Sequence, residues 1–354
     1  MGIVRTKDVF FEPSGKSVKD NLEALKRILG KFDGFFKKGD VVGIKLHWGE
    51  RGNESYLPPD YAALVASWLK EQGAKPFVVD TTVLYSGGRR NGVDSLQTAY
   101  EHGYTPDRLG CPVVIGDGLG GRDVFVVEVG YPNFQSVEVA SIVNQADGFV
   151  VFSHFKGHMA SGFGGAMKNI SMGFASRAQK QRMHSDAHPQ LNKEKCTQCG
   201  VCIEVCPVGA ARWGEDGYPE FDLNACIGDA QCIAMCPAVA LRVMWEIDKR
   251  VFQERLVETA AAVWNMIKDR SVVINALLKV TKDCDCLPGE AHVVHDDVGF
   301  VAGFDPVIVD AESVKLVGAH VFDRVHPNVP WRHQFEHAVR IGMTDVNPLK
   351  IIDG

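Results

Sequence analysis

Val41-Val-Gly-Ile-Lys-Leu46 is an apolar run, Pro58 to Gln72 has helical amphipathicity and closes at Gly73, and Pro76-Phe-Val-Val-Asp80 is apolar again. A short buried strand, a helix and a second strand are the plain reading of that stretch. The same grammar extends outward. Ser17 to Leu29 puts Val18, Leu22, Leu25, Ile28 and Leu29 on one helical face. Ser95 to His102 reads as a helix, and Cys111 to Ile115 and Phe125 to Val129 as strands. Val137 to Gln145 reads as a helix before the strand Gly148-Phe-Val-Val-Phe-Ser153. Later come a long helix from Asp248 to Asp269, strands Ser271 to Val280 and Val298 to Val301, and helices near Pro306 to Val317 and Trp331 to Ile341. Strands alternating with helices predict an α/β fold with a largely parallel sheet and flanking helices.

Two cysteine runs interrupt this pattern. Cys196-Thr-Gln-Cys199-Gly-Val-Cys202-Ile-Glu-Val-Cys206-Pro207 has the spacing that wraps an iron–sulfur cluster. Cys226-Ile-Gly-Asp229-Ala-Gln-Cys232-Ile-Ala-Met-Cys236-Pro237 repeats it 30 residues on, with Asp229 in place of the second cysteine. In two-cluster ferredoxins the fourth cysteine of each run serves the other cluster. One 4Fe–4S cluster is therefore expected on Cys196, Cys199, Cys202 and Cys236. The second is expected on Cys206, Cys226 and Cys232, with Asp229 at the fourth corner. A carboxylate is a harder donor than a thiolate, which leaves a 4Fe–4S cluster with a labile iron, a 3Fe–4S cluster, or a degenerate site. Zinc sites pair their ligands across a longer gap, and seven cysteines within 41 residues do not fit that. The expected domains are an α/β part at 1–191, an inserted small α+β two-cluster ferredoxin-like domain at 192–245, and the rest of the α/β domain at 246–354.

The 354 residues carry a net charge of −6 without a basic block, so nucleic-acid binding has no footprint. No apolar run reaches the roughly 18 residues needed to span a bilayer. Met1-Gly-Ile-Val-Arg-Thr-Lys has no apolar core for a signal peptide. A cytoplasmic protein with reduced thiols is expected, with no membrane partner.

Other polar groups gather at predicted strand ends, where open α/β sheets bind ligands. Lys45-Leu-His47-Trp-Gly-Glu50 offers His47 as an acid–base group or ligand. Ser153-His154-Phe-Lys156-Gly-His158 runs into Gly162-Phe-Gly164-Gly165-Ala-Met-Lys168-Asn169, with His184 and His188 beyond. Glycines before a helix allow close approach of an anion to its N-terminus. Gly162, Gly164, Gly165, Asn169 and Asp80 are therefore candidates for cofactor binding. His47, His154, His158, Lys168 and His184 are candidates for catalysis. Asp80-Thr81-Thr82 suits either a ligand hydroxyl or a turn cap. Cys284-Asp-Cys286 suits a metal site, a redox pair or an idle thiol pair. Cys111 reads as a core thiol.

These segments together resemble the domain-of-unknown-function-362 family of iron–sulfur proteins. The resemblance is carried by Ile44 to Glu50, Asp117-Gly118-Leu-Gly120, His154 to His158, Gly162 to Asn169 with Met172-Gly173, Cys284-Asp-Cys286, and Asp305-Pro306 through Asp310. It implies a ferredoxin insert in an α/β scaffold and no settled reaction. Asp229 departs from the family's two full cysteine quartets. The spacing of His158, Lys168 and His184 is also similar to that of nickel-pincer lactate racemases. That likeness implies a bound cofactor beside Lys168, a metal on His184 and an acid–base role for His158.

The expected function is that of an iron–sulfur redox protein. Single electrons would pass through two clusters to a substrate or cofactor in the α/β cleft. An electron-donor or acceptor protein and a small-molecule substrate are the expected partners, and a further metal or a nucleotide-like cofactor is consistent with the cleft residues. An electron carrier or assembly factor docking on another enzyme, and a metal or cofactor chaperone, are the alternatives.

Overall fold

The computed structural model describes residues 7–84, 87–184, 188–223, 225–226, 230–242, 248–289 and 291–354. Asp229 and the end of the expected ferredoxin-like segment lie outside these residues. Seven strands form the main sheet: β1 (Val9–Pro13), β2 (Val41–Lys45), β3 (Lys75–Asp80), β4 (Val113–Ile115), β5 (Gly148–His154), β6 (Ser271–Leu277) and β7 (Gly299–Gly303). Their order is β1-β7-β6-β5-β2-β3-β4. The pairs β3–β4, β2–β3, β2–β5 and β5–β6 are parallel, whereas β7 runs antiparallel to both β6 and β1. A mixed α/β fold with a largely parallel sheet and flanking helices is thus present. The order runs outward from β2 through β3 to β4 on one side, and from β5 to β6 on the other. The order of strand addition reverses between the parallel neighbours β2 and β5, and such a switch opens a crevice at the carboxyl ends of the strands.

Both sheet faces are buried, which is why the central strands are mostly apolar rather than alternating. Phe149, Val151 and Val273 face one core; Val150, Phe152, Val272 and Ile274 face the other. Helices α1 (Val18–Leu29) and α2 (Pro59–Glu71) cover the second face with Leu25, Ile28, Val65 and Leu69. Helices α3 (Ala166–Phe174), α4 (Arg177–His184), α5 (Lys249–Ile267), α6 (Pro306–Val317) and α7 (His333–Arg340) lie on the first. Ser17 caps α1 by accepting the Asp20 amide, and Pro59 starts α2 where a missing N–H costs nothing.

One expectation needs correction. Residues 137–145 are not one helix: Ser136–Ala140 is a strand, and only Ile142–Gln145 is helical. Val137 and Val139 are fully buried while Glu138 is not, which is the two-residue period of a strand. This strand pairs with Val124–Glu128 in a separate hairpin, so 125–129 does not join the main sheet.

Among the described residues, the cysteine-rich segment adds no strand to the main sheet. It has its own two-residue and three-residue ladders, Gln190–Leu191 with Leu241–Arg242 and Ala211–Trp213 with Pro219–Phe221. Its small apolar cluster contains Cys202, Cys232, Ile233, Cys236 and Leu241.

Candidate active-site pocket

A cavity of about 840 Å³ opens at the carboxyl ends of β2, β3 and β5. Lys45, Asp80, Ser153 and His154 reach it from those strand ends. Lys156, His158, Gly164, Gly165, Lys168, Asn169, Lys180, His184, Cys284 and Cys286 also line it, as do His47, Glu50 and Arg89. The sequence candidates for catalysis therefore share one pocket. His188 is exposed and does not line it.

One side is a buried polar chain. Arg89 pairs with Glu50 at 3.3 Å and with Asp80 at 3.2 Å, and Asp80 pairs with Lys45 at 3.0 Å. Lys45 also donates to the Asn169 side-chain carbonyl at 2.7 Å. The Asn169 amide returns bonds to the Lys45 and Phe152 carbonyls, each at 3.2 Å, and to Ser153 at 3.0 Å. Asn169 thus ties β2 to β5 where the strands part. Gly173 is required beside it, because a Cβ there would collide with the Lys45 ammonium end.

Asp285 organises the opposite side. Its carboxylate is fully buried and accepts from Lys156, from His154 Nδ1 at 2.9 Å and from Ser55 Oγ at 2.7 Å. Burial alone would raise this carboxyl, but Lys156 and then His154 hold it well below the ordinary range. His154 Nε2 meets the Leu278 carbonyl at 2.8 Å, so both ring nitrogens are engaged in holding the scaffold.

Three histidines face the pocket as neutral rings. His158 Nδ1 accepts from the Ala160 and Ser161 amides at 3.2 and 3.1 Å, which leaves the proton on Nε2. Burial, and then Lys168, push its pKa well down. His47 Nδ1 accepts the Gly49 amide at 3.0 Å, and burial followed by Arg89 lowers its pKa well below the usual value. His184 is pushed down to about 4 by burial and Lys168, and packs its ring on Phe252.

Lys168 stands in the first turn of α3 with its Nζ 3.4 Å from Cys284 Sγ. Burial, with Lys156 nearby, lowers its pKa to about 7. Lys180 on α4 donates to Thr81 Oγ1 at 2.7 Å and to the Thr82 carbonyl, and burial brings it to about 8. Six basic side chains line the cavity (Lys45, Arg51, Arg89, Lys156, Lys168 and Lys180) against two carboxylates, Glu50 and Asp80. That excess favours an anionic occupant.

The glycine segment works differently from the expectation. The N-terminus of α3 already holds an anion: Asp310 on α6 accepts the Ala166 and Met167 amides at 2.7 and 2.9 Å, and Asn275 bonds the same carboxylate. Gly165 leaves room for Asp310, and Gly162, at φ +81°, leaves room for Trp331. Gly164 and Gly165 line the pocket, while Gly162 does not. Of the cofactor-binding candidates, Asp80, Asn169, Gly164 and Gly165 therefore reach the cavity.

Cys284 and Cys286 are joined as a disulfide in the pocket wall. Cys111 is a buried thiol raised by burial to about 11. Arg89 and Lys180 escaped the sequence reading, whereas Asp285 was read with its two flanking cysteines. Lys180 carries no signal at all, because its helix is strongly polar yet mostly buried. Arg89, after Gly87-Gly88, has only the adjacent glycines to suggest a tight loop.

Cys196, Cys199, Cys202 and Cys236 line a second, small cavity together with Pro219, Pro237 and Leu241. Cys202 is raised to about 11, by burial first and then by the Cys236, Cys199 and Cys196 sulfurs around it. The Gln198 amide donates to Cys196 Sγ at 3.4 Å, and the Ala240 amide to Cys236 Sγ at 3.3 Å. Four convergent sulfurs with amide donors on two of them fit a four-cysteine cluster. Among the described residues no three His, Cys, Asp or Glu side chains sit close enough to hold a single metal ion; a cluster is larger and spreads its ligands further apart. Cys206, Cys226 and Cys232 do not line this cavity.

Fold and cavity together define an α/β protein with a basic pocket at its strand ends and a separate cysteine-rich segment. The chain belongs to the family described as Domain of unknown function (DUF362), whose model matches residues 42–315. That is the family its motifs resemble. Among solved structures, the lactate racemase apoprotein from Thermoanaerobacterium thermosaccharolyticum is similar, with a TM-score of 0.39 and 14% identity over 77% of this chain. The match covers 56% of the racemase chain. No curated protein matches the chain. No helix among the described residues is long and apolar enough to cross a membrane.

Proposed function

We propose that this protein is an iron–sulfur redox enzyme acting on a small anion held in the basic pocket. The supporting observation is how the cysteine-rich segment is seated. Its helix Gln231–Ala234, which carries Cys232, packs against α4, the helix that brings Lys180 and His184 to the pocket. Arg90, next to the pocket residue Arg89, donates to the Cys236 carbonyl at 2.7 Å. Gln231 bonds Glu138 at 2.8 Å, fixing the same contact to the hairpin.

Cys196, Cys199, Cys202 and Cys236 would hold one cluster; Cys206, Cys226 and Cys232, with Asp229, would hold the second. A bound cluster supplies electrons one at a time. The pocket residues supply the rest. Arg89, Lys45 and Lys180 attract and orient the anion. Lys168, with a pKa near neutrality, can accept or release a proton at Nζ. His158 presents Nε2–H to a ligand atom, and the neutral ring of His184 forms part of the same wall.

The test has two parts. Protein purified without oxygen should contain about seven or eight irons per chain. Citrate or pyrophosphate should raise its melting temperature, and Arg89→Met should abolish that rise. Four irons or fewer, with cluster loss excluded, would remove the two-cluster reading. An unchanged melting temperature at saturating anion would remove the anionic substrate.

A further inference from the structure

The two sulfurs of the pocket disulfide are not equivalent. Cys284 is buried, and its Sγ receives both the Lys168 ammonium and the Cys286 backbone N–H, each at 3.4 Å. Cys286 is only half-buried and lines the open cavity. Between them Asp285 is pinned by Ser55, His154 and Lys156, and its carbonyl accepts the Glu50 amide at 2.8 Å. The loop therefore keeps both sulfurs at the pocket wall whether or not they are bonded.

We propose that Cys284 and Cys286 form a reversible dithiol–disulfide couple that exchanges with a small thiol bearing a carboxylate or phosphate. The incoming thiolate attacks the accessible Cys286 sulfur. The new bond joins the substrate sulfur to Cys286, and the Cys284–Cys286 bond breaks. The electron pair of that bond goes to Cys284, which leaves as a thiolate beside Lys168 and the Cys286 N–H. Those two donors make it the better leaving group. A second thiolate then attacks the substrate sulfur of the mixed disulfide. It releases the substrate disulfide and leaves Cys286 reduced. Two substrate sulfurs are oxidised, two cysteine sulfurs are reduced, and no other oxidant is needed. The reverse sequence reduces a substrate disulfide. The basic lining supplies the preference for an anionic thiol.

This inference rests on the pocket accepting an anion, as proposed above, but not on the clusters. Protein that holds no iron, with cluster loss excluded, and still exchanges would sink the cluster reading and leave this one standing.

Trypsin releases residues 283–315, a peptide whose only cysteines are Cys284 and Cys286. After oxidation of the folded full-length protein, alkylation and mass spectrometry of this peptide should show a closed pair. At equal thiolate concentration, 3-mercaptopropionate should open it at least about tenfold faster than 2-mercaptoethylamine, given a basic site at low salt. The oxidised dimer of 3-mercaptopropionate should add to Cys286 in Cys284→Ser and fail to add to Cys284 in Cys286→Ser. A pair that takes two alkyl groups after every oxidising treatment would overturn the couple. Equal rates with the two thiols would overturn the anionic substrate. Addition to Cys284 alone would overturn the order of attack. The first two readings need no variant, so a folding defect cannot obscure them.

Discussion

Asp285→Asn keeps the shape of the side chain and removes one buried charge. In the parent, Asp285 is fully buried and Lys156 is 6% exposed, and the two are in direct contact. Removing one member of such a pair costs about 3–5 kcal/mol, because the other charge is left buried without a counter-ion. A second route gives a ceiling. Lys156 can escape the penalty by folding as the neutral amine. An ordinary lysine titrates near 10.4, so giving up that proton at pH 7 costs about 4.6 kcal/mol, at 1.36 kcal/mol per unit. The two figures agree, and a loss of about 3–4.6 kcal/mol is expected. The second route also fixes a sign. The unfolded variant binds the lysine proton and the native variant does not, so the variant gains stability as pH rises. Its deficit against the parent should narrow by about 1.4 kcal/mol per unit between pH 7 and 8.5. Urea unfolding followed by tryptophan fluorescence measures both. A deficit below about 1 kcal/mol at pH 7, or one that ignores pH, would refute Asp285 as the charge that holds this side of the pocket together.

Further outcomes are expected. Cys202→Ser should lose about four irons relative to the parent, and metal analysis showing no loss would contradict the four-cysteine site. Lys168 should acylate in competitive labelling with a midpoint near pH 7, because burial holds its amine neutral above that value; a midpoint near 10 would contradict the burial. Its depressed pKa also means that the folded protein gains stability as pH rises from about 7 towards 10. Gly165→Ala should destabilise by roughly 1–3 kcal/mol, since its Cβ meets the Asp310 carboxylate and Phe155. Gly30→Ala, at φ −59° with its nearest atom 3.9 Å away, should be nearly neutral by the same thermal melt.

The central strands were legible because burial on both faces leaves mostly apolar side chains at 41–45, 75–80, 148–154 and 271–277. Their polar ends were legible too, since Lys45, Asp80 and His154 stand where those runs stop. Residues 136–140 were misread because Val-Glu-Val-Ala followed by Ser-Ile-Val-Asn-Gln satisfies a helical period as well as a strand. Only pairing with 124–128 decides between them. The partners across the pocket were not legible. Asp310 finds the α3 amides across 144 residues, and Ser55 reaches Asp285 across 230. Such contacts follow from strand order, which local periodicity does not encode. The cysteine spacing was legible for a different reason, since a cluster dictates ligand intervals along the chain.

Asp310 on the α3 amides has a consequence for the pocket's hold on its ligand. A helix N-terminus offers positive potential that no change of pH removes. Here that potential is already spent on an internal carboxylate, so a ligand in the cavity depends on side-chain cations instead. Two of them, Lys168 and Lys180, shed their charge near 7 and 8. The grip on an anion is therefore adjustable: firm in mildly acidic surroundings and slackening as the medium turns alkaline. A product that differs from its substrate by one negative charge would feel that change most.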